Sequence, residues 1–238
     1  MMKQPIMEED PYERASIART AYHEAGHVVA HYLLKIGFRY ATIIPSENAL
    51  GCVVWGQSFS RKTLENFDAG EYTLRECDRV KKFIMVLLAG GEAEKEFINS
   101  DNFKYLTIDC DEDGPLDVII LGLEDLFSIS DVLNRPRKEI PEDFFEQVRI
   151  ECYNELFDIA KLSNCVINGR RAQEAYLKWL ELETRRLITR PRNWLAVERV
   201  AEALLEKKTL TSKKARVIIR KALDEYVNSQ PYALEERL

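Results

Sequence analysis

Thr20-Ala21-Tyr22-His23-Glu24-Ala25-Gly26-His27-Val28-Val29-Ala30 is the stretch on which the reading of this chain turns. It lies inside a run from about Tyr12 to Lys35 where Ile17, Tyr22, Val29 and Leu33 recur at helical spacing, with Gly37 just beyond as a stop signal. Residues four apart on a helix share one face about a turn apart, so the imidazoles of His23 and His27 can converge on one point. Two nitrogen donors placed this way are the start of a metal site. Zinc in catalytic centres takes three protein ligands and leaves the fourth position to water, whose pKa falls toward about 7. Glu24, beside His23, is placed to take that water's proton. The chain has only three histidines, and composition alone would set two of them around a glutamate in fewer than about one sequence in a hundred.

His31 continues the stripe. Eight residues of helix rise about 12 Å, whereas zinc–nitrogen bonds span about 2.0 to 2.1 Å, so a metal on the first two histidines cannot reach the third. His31 is expected to pack, or to support a ligand through a hydrogen bond. The third ligand must then be a carboxylate or, less readily, a cysteine. Asp109, Asp111, Asp113, Asp117, Glu124 and Asp125 crowd one acidic stretch, while Glu92 and Glu155 lie on helical runs, and spacing alone does not choose among them. Gly26 costs a helix roughly 1 kcal/mol relative to alanine, which predicts close packing of another backbone beneath the metal.

Outward from this helix, Ala41–Ile44 and Cys52–Trp55 are β-prone runs around the turn-rich segment Pro45–Gly51, a small hairpin or a pair of neighbouring strands. Ser58–Gly70 reads as loop. Thr73 to about Phe97 carries a second helical pattern through Gly90-Gly91, a pair that permits close packing or a bend. The acidic segment Asp109–Pro115 leads to an apolar run, Leu116–Phe127, and Arg135-Pro136-Arg137 marks a loop. Helices are expected over Glu142–Leu162, Arg170–Leu187, Asn193–Lys207 and Ser212–Asn228, the last capped by Thr211. The fold class expected is α+β, mainly α-helical. Residues 1–228 form one domain in this reading, with the metal helix and small sheet over about 12–57, the helical part over about 73–228, and a tail at 229–238. Trp55, Trp179 and Trp194 are expected to anchor the core.

With 238 residues, 46% of them hydrophobic, the chain can bury a sizeable core. Its charges nearly balance, leaving a net charge of -6, so no single-sign field draws in nucleic acid or an anionic membrane. Five cysteines, odd in number and without a C-x-x-C pair, point to reduced thiols in a cytoplasmic setting. There is no signal-peptide pattern at Met1–Pro11 and no run of about 18 apolar residues to span a membrane.

The stretch quoted first resembles the zinc helix of the FtsH family of ATP-dependent metalloproteases, A-x-H-E-A-G-H followed by small apolar residues. Further segments agree in order. Ala41-Thr-Ile-Ile-Pro45 is similar to the family's next strand and Ala49-Leu-Gly51 to its A-L-G turn. Val86-Leu-Leu-Ala-Gly-Gly-Glu-Ala-Glu94 resembles its L-L-G-G-R-A-A-E helix, and Ala201–Leu210 its closing A-x-A-L-L-E-x-E-T-L. The resemblance runs from about residue 19 to 223. It implies that the third zinc ligand is an aspartate in a segment like G-A-x-x-D-L, matched here by Gly114-Pro-Leu-Asp117-Val. That match is one residue short, which keeps Asp113 and Asp125 as alternatives.

The resemblance also implies peptide-bond hydrolysis, with His23, His27 and Asp117 on Zn2+ and Glu24 as general base and later proton donor to the leaving amine. A strand within Cys52–Trp55 would receive the substrate backbone by strand addition. Family members carry membrane spans and an ATPase before the peptidase, whereas this sequence opens almost at the zinc helix and has no G-x-x-x-x-G-K-[ST] loop. The expected substrates are therefore flexible segments, peptides or proteins brought by a delivery partner, cleaved without ATP, by a monomer or a homo-oligomer. The competing reading is a zinc-stapled interaction module without catalysis, in which a fourth protein ligand would close the site. A third is hydrolysis of a non-peptide amide.

Overall fold

Helix α1, Pro11–Leu33, is the axis of the structure: from Ala21 to His31 every residue is buried. A helix covered on all sides needs no single apolar stripe, and the small residues Ala21, Ala25, Gly26 and Ala30 let neighbours approach closely. The computed structural model describes residues 11–46, 49–56, 72–100, 159, 162–167 and 169–229. Helix α2, Leu74–Ile98, makes the widest contact with α1. It opens on a capping box in which Thr73 and Glu76 satisfy each other's backbone N–H groups. It also runs unbroken through Gly90-Gly91, so the pair makes no break in the helix, and Gly90 alone serves close approach.

Arg170–Ile188 forms α3, Pro191–Lys207 forms α4 and Ser212–Asn228 forms α5. Helix α4 also packs on α1 in the chain's main core, where Val197, Val200, Ala201 and Leu204 join Tyr22, Val28 and Val29. A second cluster, Val80, Ile84, Leu177 and Leu180 among it, fastens α3 to α2. Pro191 is itself the first residue of α4, two positions before the expected start, where its missing N–H leaves nothing unsatisfied.

The sheet has three antiparallel strands in the order β2-β1-β3, with β1 at Phe38–Thr42, β2 at Cys52–Trp55 and β3 at Thr209–Thr211. The fold is thus mainly helical with a small sheet, as the sequence indicates. Strand β1 starts earlier than Ala41, and β3 is too short to register as a strand in sequence. It exists because Leu210 faces Ala41 and is fully buried. Lys208, held at φ 60°, turns the chain from α4 into β3, and its carbonyl accepts hydrogen bonds from Ile43 N and Thr42 Oγ1. Thr211 then caps α5 by accepting from Lys214 N.

Two details differ from expectation. The stop of α1 falls on Lys35 rather than Gly37: Lys35 takes the left-handed conformation, and Ile36 N–H donates to the His31 carbonyl at 2.9 Å while Lys35 N–H donates to Tyr32. Trp179 is not a core anchor. It is 44% exposed with the Lys81 ammonium over its ring, whereas Trp194 stacks on buried Tyr22 and Trp55 packs on Phe83. The loop at 58–70, the apolar run at 116–127 and the loop at 135–137 lie outside the described residues. So do the helix expected at 142–162, apart from Ile159 and Leu162, and the tail beyond Ser229.

Candidate metal centre

Four residues of α1 carry His23 and His27 round one helical turn, and their rings meet edge to face with Nε2 atoms 3.0 Å apart. The opposite ring nitrogens are both engaged. His27 Nδ1–H donates to the Val86 carbonyl at 2.7 Å, and His23 Nδ1–H donates to Glu94 Oε2 at 3.1 Å. A carbonyl and a carboxylate can only accept, so each Nδ1 holds the ring's proton and each Nε2 of a neutral ring presents a lone pair. At this distance the two nitrogens either share a proton, one ring donating to the other, or share a cation. Two nitrogens on a tetrahedral zinc ion with bonds of about 2.0 to 2.1 Å stand roughly 3.3 Å apart. The pair therefore fits such an ion in spacing, tautomer and support.

Glu94 and Arg19 are the supports that the sequence reading did not assign. Arg19, one turn before His23, places Nε and Nη2 on Glu94 Oε1 at 2.9 and 2.6 Å, which leaves Oε2 for the histidine. Burial pushes the Glu94 carboxyl upward, but the hydrogen bond from His23 and the guanidinium of Arg19 outweigh it and hold the pKa at about 2. A carboxylate fixed on the far nitrogen of a metal-binding histidine sets its tautomer and raises its basicity. The only signal in the sequence was the position of Glu94 at the end of the Val86–Glu94 motif.

Glu24 is 2% exposed. Its carboxylate lies against the turn that opens β2, so close that a side chain on Gly51 would begin 2.8 Å from Oε1 and 2.9 Å from the Thr42 carbonyl. Glycine at Gly51 is thus required by the Thr42 carbonyl and the Glu24 side chain together. Gly26 meets the expectation of close packing: a Cβ there would strike the Ala89 carbonyl and stand 2.6 Å from Ala93 Cβ on α2.

His31 is fully buried yet points elsewhere, between the rings of Phe38 and Trp55, and neither of its nitrogens makes a hydrogen bond of good geometry. Burial first, then nearby His27, lower its pKa to about 4 against a weaker opposing pull from the Ile36 backbone. It is a packing residue. Among the described residues no group of three His, Cys, Asp or Glu side chains converges on one point. Buried Glu92 faces Lys95 and Arg185 instead. Asp117 lies outside the described residues, as do Asp109, Asp111, Asp113, Glu124, Asp125 and Glu155. Cys52, Cys77 and Cys165 form no disulfide.

Comparison of the sequence with models of known protein families and with curated proteins returned no match.

Proposed function

We propose that this protein is a zinc-dependent metallopeptidase that hydrolyses peptide bonds in extended or unfolded polypeptide without ATP. The observation that carries the reading is the facing pair of Nε2 atoms, 3.0 Å apart, with both Nδ1 atoms committed to acceptors. His23 and His27 would hold the ion, with a carboxylate as third ligand, Asp117 by resemblance. Bound zinc supplies a Lewis acid for a carbonyl and for water.

The protein's own groups do the rest. Glu24, adjacent to His23 and shut away from bulk water, is the base that takes a proton from the attacking water and returns it to the leaving amine. Gly51 seats that carboxylate at the start of β2, an edge strand of the described sheet. An extended substrate pairing with β2 would bring its backbone past Glu24, a mode that selects for unfolded chain more than for side chains. Among the described residues no helix is long and apolar enough to cross a membrane.

The decisive experiment measures bound zinc and cleavage of an unfolded protein by wild type, Glu24→Gln and Asp117→Ala. Glu24→Gln is expected to keep zinc and lose activity by about 10²- to 10⁴-fold, and Asp117→Ala to bind zinc more weakly. Full activity in both would end the assignment. Zinc retained and no cleavage even by wild type would favour the non-catalytic module.

A further inference from the structure

Gly90 stands directly over the imidazole pair. A Cβ built on its backbone would fall 2.7 Å from His23 Nε2 and 2.6 Å from His27 Cε1, and closer still to His27 Nε2. That point lies against the Nε2 edge of both rings, closer than a real side chain can stand, so neither ring could keep its place if residue 90 carried one. The next residue is the contrast: a Cβ on Gly91 meets nothing within 4 Å. Of two adjacent glycines in one helix, one faces open space and the other faces the metal ligands.

We infer that Gly90 forms the metal seat: its missing side chain is the space that lets the rings of His23 and His27 come together so that their Nε2 atoms can share one ion, and any larger residue there pushes them out of place. The inference rests on the metallopeptidase reading for the identity of the ion. A second contact argues the same way. In a helix each Cβ leans toward the N-terminus, over the residue four positions earlier, so residue 90 overhangs Val86. The Val86 carbonyl accepts His27 Nδ1–H from another helix, which a side chain at position 90 would crowd. Gly90 thus keeps both ends of the His27 ring accessible, the metal end and the supporting end. The rings cannot simply swing aside, because Glu94 and Val86 hold them from behind.

The test compares zinc binding, read by metal analysis and by competition with a chromogenic chelator, in wild type, Gly90→Ala and Gly91→Ala. Gly90→Ala is expected to lose more than about 100-fold in zinc affinity, beyond the range seen when a ligand loses only its hydrogen-bond partner. Gly91→Ala is expected to bind as wild type does. Thermal unfolding in the absence of metal gives an independent readout that survives poor folding of the first variant. With the His23→Ala, His27→Ala pair as background, Gly90→Ala should raise the midpoint, since alanine favours helix and the rings are gone. With both histidines present it should lower it. Wild-type zinc affinity in Gly90→Ala, or the same shift in both backgrounds, would overturn the inference while leaving the peptidase reading intact. Failure of wild type to bind zinc would overturn both.

Discussion

His27 and His31 are the same residue type, one turn apart on one buried helix, and the structure makes opposite uses of them. His27 has a carbonyl behind it and a second imidazole in front, while His31 has aromatic rings around it and no well-formed hydrogen bond. Burial is common to both. What separates the two here is the acceptor on Nδ1, which turns the other nitrogen of His27 into a lone pair with a fixed direction.

The largest effect that would break this contrast is loss of the metal from one position and not the other. His27→Ala is expected to abolish zinc binding and hydrolysis together, and His31→Phe to keep both, by metal analysis and a protease assay on unfolded protein. Metal retained by the first, or lost from the second, would erase the distinction. A smaller effect isolates the acceptor: Glu94→Gln should weaken zinc by about 10- to 100-fold in chelator competition. An unchanged affinity would mean that the support behind His23 is dispensable.

The other side of the contrast is a matter of pH. Folded His31 stays neutral down to about 4, whereas the unfolded chain takes up its proton near the model-peptide value of 6.5. Between those values the unfolded state binds more protons, so the stability is complete above about 6.5 and is lost as pH falls toward 4. The loss amounts to about 3 kcal/mol at 1.36 kcal/mol per unit. Urea unfolding with chelator present should show this slope in wild type and not in His31→Phe, which at neutral pH should be as stable or more so. Parallel pH curves would refute it. The smallest change lies at the helix end that follows. Lys35→Gly relieves a left-handed lysine and should stabilise by about 1 kcal/mol, with zinc affinity and the pH slope unaltered. A loss of zinc in that variant would couple the two ends of the helix.

Much of this was readable in the residues. The H-E-x-x-H spacing placed His23, Glu24 and His27 on α1, the arithmetic of helical rise removed His31, and Gly26 announced a close neighbour. Long helices declared themselves because their signals are local, as Thr211 did ahead of α5. Glu94 and Arg19 did not, since a charge pair reaching from one helix to another leaves no spacing to detect. Strand β3 was hidden for the same reason: three residues become a strand only by pairing with β1. Gly90 was visible as half of a glycine pair, but nothing in the sequence distinguished it from Gly91.

The pairing of β3 with β1 has a consequence for how the molecule is made. Thr42 and Lys208, joined by a hydrogen bond, are 166 positions apart, and contacts so distant along a chain form late because a long loop must first close. A polypeptide leaving the ribosome would expose α1 early, yet its three-stranded sheet could not be completed before Thr209–Thr211 had emerged as well.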